Sequence, residues 1–426
     1  NDGLIDIYYG GGSGHADTMW RQVRVLPIVA RYAYKGGTFR QHDEAALTFW
    51  TAHTKGKGIR FIFDERRRDN TYIYIHDRAR DMTIRLPLTN GMSAYSMDDE
   101  KTWHNLYQIH VLPGRSAVPE RDEERWMLVA SRPGGYCRSV VACDFDEDHD
   151  ADFYVSNYWL AANFLIVSGD NNKVANRAAA FNVAAGSGHS IGACWGDIDN
   201  DGYMDLFAGN FAHDGQPQSR FLRNRGKAAG YKFEDIGTRG VAFQESYASP
   251  TLGDYDNDGD LDLFFTTVYD HNAPRLYRND SSPETGWKFT NVTSEEGIPR
   301  LPSTYQAAWG DVNNDGFLDL VTAGRLFINQ GNENHWLKIR LKGNGKKVNS
   351  SAIGAKVRIK LGEKTLTRQV EGGGVGQGNQ NDLTLHFGLG THSREVDYTV
   401  TWTNGETQTG TTGIDRMIRV TMGETE

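Results

Sequence analysis

Four nine-residue segments of the chain carry acidic side chains at a spacing that suits one chemical task. Aspartate, or in one case asparagine, occupies positions 1, 3, 5 and 9 of segments 144–152, 197–205, 254–262 and 311–319. Oxygen atoms at this spacing can converge on a hard cation such as Ca²⁺ if the backbone turns sharply between them. Glycine at position 6 permits that turn in three of the four segments.

The predicted ligands are side-chain oxygens together with a backbone carbonyl at position 7. Loop by loop they are Asp144, Asp146, Asp148, Asp150 and Asp152; Asp197, Asp199, Asp201, Tyr203 and Asp205; Asp254, Asp256, Asp258, Asp260 and Asp262; and Asp311, Asn313, Asp315, Phe317 and Asp319. His149 replaces the glycine in the first loop, which makes that site the weakest. A partial copy of the motif, with Asp2, Leu4 and Asp6, opens the chain. We expect three to five structural Ca²⁺ ions, bound at about 10⁻⁴–10⁻³ M as in extracellular modules.

The acidic loops could instead be EF-hands or turns that bind no ion. An EF-hand needs a glutamate at position 12 and flanking helices, whereas position 12 here is Val155, Ala208, Phe265 or Thr322 and the flanks have strand character. A set of aspartate-rich turns without an ion needs only local hydrogen bonds. Several carboxylates within nine residues repel one another without a cation, so the sequence favours calcium.

The loops belong to a longer repeat that must position them. Their fifth residues, Asp148, Asp201, Asp258 and Asp315, are 53, 57 and 57 residues apart. Short apolar segments precede and follow each loop, and no helical periodicity separates them. This period is slightly longer than that of common propeller repeats but suits a four-stranded blade with loops. The sequence therefore predicts an all-β protein built on a β-propeller.

The remainder of the chain divides into two further regions. Alternating segments within 59–130 lack the acidic loop and indicate either two degenerate blades, giving a seven-bladed β-propeller over 1–331, or a β insertion in a smaller one. Residues 332–426 also alternate and predict a C-terminal antiparallel β-sandwich.

Charge and composition exclude some classes of function. The 426 residues carry a net charge of −9, which divides into −12 for residues 1–331 and +3 for the remainder. An acidic propeller argues against nucleic-acid binding. No apolar run is long enough to span a bilayer, so we expect a protein that is not membrane-embedded. Three cysteines cannot form a disulfide scaffold; Cys137 and Cys143 could pair, or all three could be buried thiols.

The motifs resemble two known families. The Trp309-Gly310-Asp311 lead and the acidic loops resemble FG-GAP/VCBS repeats of integrin-alpha-like propellers, over residues 140–331 and partly over 1–10. Segments 334–341, 352–358, 368–373, 385–390 and 400–406 resemble the ASPIC/UnbV domain, with a departure at 374–379. The combination is similar to the cartilage acidic protein group. The resemblance implies seven blades, secretion and calcium in the loops.

A catalytic centre is not the favoured interpretation. Gly12-Ser13-Gly14-His15 recurs as Gly186-Ser187-Gly188-His189, and repeat-equivalent loops explain this better than a serine hydrolase does. We expect a binding, adhesion or scaffold module that engages protein or carbohydrate through propeller-face loops. It would be extracellular, or periplasmic or at the cell surface in a bacterium. The alternatives are a sugar lyase or dehydratase on a propeller scaffold and a non-catalytic subunit of a surface complex; the oligomeric state is left open.

Overall fold

The computed structural model describes most of the chain as β-strands. The described residues are 6–9, 17–22, 28–34, 37–44, 47–54, 58–77, 80–112, 126–132, 136–169, 174–373 and 379–424. Within them the helical content is limited to 3₁₀ turns such as Ala185–Ser187 and Lys227–Ala229. The prediction of an all-β fold is confirmed. No helix in the described part of the chain is long and apolar enough to cross a membrane.

The chain folds as two compact units, of which one is Leu4–Tyr9 with Ser13–Gly134. This unit contains a three-stranded sheet in the order β1-β2-β11 and an eight-stranded sheet that closes on itself in the order β10-β3-β4-β5-β6-β7-β8-β9. The strands are β1 (Asp6–Tyr9), β2 (Asp17–Gln22), β3 (Ile28–Tyr34), β4 (Gly37–Glu44), β5 (Leu47–Thr54), β6 (Gly58–Arg68), β7 (Tyr72–Asp77), β8 (Met82–Pro87), β9 (Gly91–Ser96), β10 (His104–Leu112) and β11 (Trp126–Arg132).

The closed sheet has a core of its own. Trp50, Ile75, Leu86 and Ile109 are completely buried inside it and come from four different strands. Each such side chain contributes roughly 1.5–3 kcal/mol on burial. The strands of 59–130 therefore pair mainly within one closed sheet and do not form two separate four-stranded blades. The alternative of a β insertion describes this pairing, and the count of seven blades stays a prediction.

The second unit includes Gly135–Glu426 and begins with four consecutive antiparallel meanders. Their strands are β12 (Cys137–Cys143), β13 (Asp152–Asn157), β14 (Phe164–Val167) and β15 (Ala175–Asn176); β16 (His189–Gly196), β17 (Asp205–Phe211), β18 (Arg220–Asn224) and β19 (Phe233–Gly237); β20 (Tyr247–Gly253), β21 (Asp262–Thr267), β22 (Arg275–Asn279) and β23 (Phe289–Asn291); and β24 (Ala307–Gly310), β25 (Asp319–Thr322) and β26 (Arg325–Phe327). The first strand of each sheet contacts the first strand of the next.

Successive meanders pack face to face through aromatic side chains. Phe145, in the acidic loop of the first meander, stacks on Trp195 of the next sheet, with ring centroids 6.2 Å apart and an interplanar angle of 15°. Phe207 meets Phe265 of the following sheet edge to face at 5.2 Å. Because both faces of a sheet are covered, every residue of β17 is buried. A strand covered on both faces reads as a continuous apolar run and not as an alternating one.

The C-terminal part of this unit forms two sheets around one apolar cluster. Its strands are β27 (His335–Lys342), β28 (Lys356–Leu361), β29 (Lys364–Gln369), β30 (Leu385–Gly390), β31 (Val396–Thr401), β32 (Thr407–Thr412) and β33 (Arg416–Thr421). They pair as β30-β27-β33 and β29-β28-β31-β32. Leu337, Val357, Phe387 and Trp402 lie in the shared core. The expectation of a purely antiparallel domain is wrong at one pair, since β27 and β33 run parallel.

Candidate metal centres

Each acidic loop joins the first strand of a meander to the second. Gly196 at the end of β16 pairs with Asp205 at the start of β17, and Gly253 pairs with Asp262 in the same way. Directly opposed residues of antiparallel strands lie about 4.5–5.5 Å apart. The hairpin therefore holds loop positions 1 and 9 close together before any ion is considered.

The sharp turn predicted at position 6 is present. Gly202, Gly259 and Gly316 have φ values of +98°, +96° and +93°, which an L side chain rarely adopts. The N–H of Gly259 donates to Oδ2 of Asp254 at 3.1 Å, which closes the loop onto its first residue. His149 adopts the equivalent left-handed conformation with φ +73°. The first loop therefore makes the same turn with a residue that is strained there.

Three of the four loops bring carboxylate oxygens within 4.8 Å of one another. The groups are Asp144, Asp146 and Asp148; Asp197, Asp199 and Asp205; and Asp254, Asp256 and Asp262. In the described residues, loop 311–319 forms no such group of three carboxylates. There Oδ2 of Asp311 lies 2.5 Å from the ammonium of Lys338, and both side chains are buried.

Several carboxylate oxygens in these groups and beside them are buried without a donor. Oδ1 of Asp146, Oδ2 of Asp152 and Oδ1 of Asp254 accept no hydrogen bond from any described residue. Leaving a buried acceptor unsatisfied costs about 1–3 kcal/mol, and more when it is charged. A bound divalent cation would satisfy these oxygens directly. The donor set, all oxygen and mostly carboxylate, fits the hard cation that the sequence predicts.

The pKa values of several loop carboxyls are raised because these side chains are buried beside one another. Burial raises the pKa of Asp197 to about 8, that of Asp258 to about 7, and those of Asp146 and Asp199 to about 6. Burial is the largest cause each time, and neighbouring carboxylates add to it. A bound cation would lower these pKa values, because an opposite charge nearby favours the ionised form.

The carboxylate at position 5 has a structural task in each loop. It accepts the backbone N–H of position 7, at distances between 2.8 and 3.0 Å. The pairs are Asp148 with Asp150, Asp201 with Tyr203, Asp258 with Asp260, and Asp315 with Phe317. This bond orients the position 7 residue. The predicted carbonyl ligands Tyr203, Asp260 and Phe317 stay predictions.

Position 9 is held by the backbone from two sides. In the second loop, Oδ2 of Asp205 accepts the N–H of Ile198 at 3.0 Å and Oδ1 accepts the N–H of Asn224 at 2.7 Å. The same two bonds recur at Asp262 and at Asp319. These aspartates therefore pin the loop to the third strand of the sheet, in addition to any role as ligands.

The asparagine at the end of each third strand is a residue whose role sequence reasoning missed. The Nδ2 of Asn279 donates to the carbonyls of Ile198, in the preceding loop, and of Leu261, each at 3.2 Å. Asn224 and Asn329 make the equivalent pairs of bonds. The signal was available in the recurring Arg-Asn and Ile-Asn ends of these strands. The bonds connect each acidic loop to the next sheet.

The C-terminal domain contacts the acidic loops at the position 6 carbonyl of three of them. A guanidinium N–H of Arg358 donates to the carbonyl of Gly202 at 3.1 Å, and one of Arg368 donates to that of Gly259 at 3.3 Å. Nε2–H of His386 donates to the carbonyl of Gly316 at 2.9 Å.

Backbone donors from the C-terminal domain also meet the first aspartate of two loops. The N–H of Thr367 donates to Oδ2 of Asp197 at 3.0 Å, and the N–H of Gly388 donates to Oδ2 of Asp254 at 2.9 Å. Lys356 lies 3.2 Å from Oδ2 of Asp144. The acidic loops are therefore an interface with the basic C-terminal domain as well as candidate ion sites.

Other predicted features have structural roles or lie elsewhere. Asp2 and Leu4 lie outside the described residues, as do Ser13 and His15, and only the backbone of Asp6 is described, in β1. Nδ1 of His189 accepts the backbone N–H of Trp159 at 3.1 Å, and the imidazole packs on the ring of Tyr158. The second Gly-Ser-Gly-His segment therefore serves packing.

Cys143 and Cys194 are free thiols. Cys143 and Cys194 are buried, and burial raises the pKa of each thiol well above its ordinary value. Because Cys143 is free, the predicted alternative of a bond between Cys137 and Cys143 is wrong.

Two known protein families match parts of this chain. The chain contains FG-GAP-like repeats, matched at residues 197–265 and 254–322, and an ASPIC and UnbV domain, matched at residues 345–426. Both family resemblances seen in the sequence are confirmed. The chain is therefore a β-protein that combines an FG-GAP repeat region with an ASPIC/UnbV domain.

The chain is also similar to two individual proteins. It is 26% identical over 231 residues to cartilage acidic protein 1 of Xenopus tropicalis, a match that covers 51% of this chain and 34% of that relative. The chain thus spans about a third of the length of this curated relative. The crystal structure of the V. cholerae biofilm matrix protein Bap1 aligns with 96% of this chain and 62% of that chain, at 10% identity and a TM-score of 0.26. A TM-score this low does not indicate a shared fold.

Proposed function

We propose that this chain is a secreted calcium-binding β-propeller with a C-terminal β-sandwich, and that it acts as an adhesion or scaffold module. The propeller would occupy residues 1–331 and the sandwich 332–426. The four meanders from β12 to β26 would be blades of this propeller. The FG-GAP-like repeats and the similarity to a protein named for cartilage support an extracellular setting.

The observation that carries the calcium assignment is the set of buried carboxylate oxygens without hydrogen-bond donors in segments 144–152 and 254–262. Asp254, Asp256 and Asp262 would hold one ion, Asp197, Asp199 and Asp205 a second, and Asp144, Asp146 and Asp148 a third. When bound, an ion would neutralise the local charge and hold the hairpin loop closed. Loop 311–319 would need a cation that tolerates or displaces Lys338.

Thermal unfolding tests the calcium assignment. At ~1 mM Ca²⁺ and a dissociation constant of ~0.1 mM, each site adds about 1.4 kcal/mol, so the chelator EGTA should lower the melting temperature by several degrees. The variant Asp256→Asn should lose part of the calcium effect. Glu284→Gln, an exposed acidic residue outside the loops, is the matched control. A melting temperature that EGTA leaves unchanged would show that the loops bind no calcium.

Exposed aromatic side chains support a ligand-binding surface at the opposite ends of the same strands. Trp159 follows β13, is 62% exposed and stacks on Tyr136 with centroids 4.3 Å apart. Tyr269 is 39% exposed and packs edge to face, at 5.3 Å, on the buried Phe211 at the end of β17. Large aromatic side chains at the surface are enriched at binding sites.

The polar groups beside these rings suit hydrogen bonding to a glycan or a protein. Glu245 accepts from Nδ1 of His213 at 2.5 Å and lies 3.8 Å from Nε2 of His271. Trp159 has a left-handed backbone, with φ +60°. A strained, exposed tryptophan is typical of a residue retained for contact with a partner. The proposed ligand surface is therefore the face formed by Tyr136, Tyr158, Trp159 and Tyr269 with their histidine neighbours, supported from below by the buried Phe211.

Binding to arrayed glycans and to immobilised matrix proteins tests this surface. Trp159→Ala should abolish or strongly weaken binding to any glycan or matrix protein that the wild-type chain binds, while the melting temperature stays the same. Tyr107→Ala removes a comparably exposed aromatic ring from the other unit and serves as control. Equal loss in both variants, or binding that persists in Trp159→Ala, would contradict the assignment.

A further inference from the structure

A cavity of about 90 Å³ lies between the acidic-loop ends of three first strands and the C-terminal domain. Trp195, Leu252 and Trp309 line it from β16, β20 and β24. Thr367 and His386 line it from β29 and β30. A single water needs roughly 10–15 Å³ of such volume, so the cavity has room for a molecule several times larger.

Three buried polar atoms of the lining have no partner in the described part of the chain. They are Nε1 of Trp309, Oγ1 of Thr367 and Nδ1 of His386. The three side chains are 5%, 0% and 7% exposed. Buried polar groups are nearly always hydrogen-bonded, and an unsatisfied one costs about 1–3 kcal/mol. Three of them on one cavity indicate a bound polar species.

The two tryptophans of the lining differ, because the indole N–H of Trp309 lacks a partner and that of Trp195 has one. Trp195 occupies the equivalent position two repeats earlier, and its Nε1 donates to the carbonyl of Val141 at 3.3 Å. Both the backbone N–H and the carbonyl of Trp309 are bonded, to Asn381 and Asp382 respectively. Its backbone is thus held by the C-terminal domain while its indole N–H remains available.

The hydrogen-bonding character of the three atoms defines the ligand. Trp309 offers a donor, and the Thr367 hydroxyl can donate or accept. Because Nε2–H of His386 donates to the Gly316 carbonyl, its Nδ1 carries the lone pair of a neutral ring. A ligand that matches all three must itself donate and accept, as hydroxyl groups do.

The charged side chains that line the cavity have partners within the protein, and Asp382 of the lining lies 3.3 Å from Arg340. Arg368 lies 3.9 Å from Asp254, and Glu371 accepts a hydrogen bond from Nδ2 of Asn381 at 3.4 Å. Both Arg368 and Glu371 line the cavity. One cation beside carboxyl groups gives no preference for a strongly charged ligand. The tryptophan and leucine side chains provide the apolar wall on which C–H groups can pack.

We propose that this cavity is a binding site for a small neutral polyol or monosaccharide, which packs on Trp309 and hydrogen-bonds to Thr367 and His386. The site is formed jointly by the FG-GAP repeats and the ASPIC/UnbV domain. It is separate from the aromatic surface at the other strand ends and does not depend on that assignment.

The test uses the full chain in calcium, with D-glucose, D-mannose and myo-inositol as probes in saturation-transfer NMR and calorimetry. At least one probe should bind in the millimolar range. Trp309→Phe keeps an aromatic ring, although a smaller one, and removes the indole N–H, and Thr367→Val removes the hydroxyl at nearly constant shape. Each should weaken binding about five-fold, the effect of one lost hydrogen bond. Trp287→Phe, the same change at a partly buried tryptophan outside the cavity lining, should alter affinity less than two-fold.

The controls separate loss of the site from loss of the fold. Melting temperatures identify any variant that is unfolded, and Thr367→Val replaces Trp309→Phe if the latter unfolds. Absence of binding for all three probes at 50 mM, roughly ten times a typical weak dissociation constant, overturns the proposal. Equal affinity in wild type, Trp309→Phe and Thr367→Val overturns it as well.

Discussion

The ammonium of Lys338 lies 2.5 Å from Oδ2 of Asp311, and the two side chains are only 6% and 2% exposed. The lysine belongs to β27 of the C-terminal domain and the aspartate opens the last acidic loop. A buried cation from one domain thus meets the position where the sequence predicts a metal ion. The same domain reaches the other three loops through Lys356, Arg358 and Arg368.

Removing Lys338 should be strongly destabilising. The variant Lys338→Met leaves Asp311 as a buried charge without its partner, which costs about 3–5 kcal/mol. Denaturant unfolding of the chelated protein measures this loss. Lys347→Met, which breaks the exposed pair with Glu406, should cost less than about 1 kcal/mol. If calcium restores the stability of Lys338→Met, the last loop accepts a metal ion once the lysine is gone. Equal stability of the two variants would show that the buried pair contributes nothing.

Removing the asparagine side chain that connects successive sheets should lower the free energy of unfolding. Asn279→Ala leaves the carbonyls of Ile198 and Leu261 without the donor seen in the structure. We expect a loss of about 1–3 kcal/mol in the free energy of unfolding. Gln330→Ala, an exposed amide on the same repeat region, is the control and should change stability by less than about 0.5 kcal/mol. A loss confined to the control level would mean that the connection is dispensable.

Position 6 of the acidic loops gives a reciprocal pair of substitutions. Gly259 has φ +96°, so Gly259→Ala forces an L side chain into a strained conformation and should destabilise by at least about 1 kcal/mol. His149 is already strained at φ +73°, so His149→Gly should be neutral or stabilising by up to about 1 kcal/mol. Chelated samples and thermal unfolding give both values. Destabilisation by His149→Gly would mean that the imidazole contributes contacts that outweigh the strain.

Glu371 should make stability depend on pH near neutrality. Burial raises its pKa from 4.5 to about 7, partly opposed by the hydrogen bond from Asn381. The folded state therefore holds its proton more tightly than the unfolded state. This contribution is fully present below about pH 4.5 and is lost as the pH rises towards about 7. The difference in stability between wild type and Glu371→Gln, measured by urea unfolding from pH 4 to 8, should change in that window. A difference that stays constant would place the carboxyl in an ordinary environment.

Much of the candidate site could be predicted from the sequence because it is local. These local features are the turn at Gly259, the spacing of Asp254 and Asp262, and the repeat, and each spans nine to about sixty residues. Over such distances, the position of a residue in a strand, turn or repeat indicates the direction of its side chain. The apolar segments around each loop likewise indicate the hairpin that holds its ends together. These features needed no knowledge of distant contacts.

The sequence by itself therefore determined an all-β repeat protein with acidic hairpin loops and a basic C-terminal domain. The tertiary structure decided that β6–β10 close into one sheet with β3–β5, that β27 and β33 run parallel, and that Lys338 and Arg368 face the loops. It also decided that Trp309, Thr367 and His386 share one cavity. Such contacts join residues far apart in the chain, and their partners are chosen by the packing of whole sheets. Alternation along a strand indicates only which side chains face inward, not which distant residue they meet.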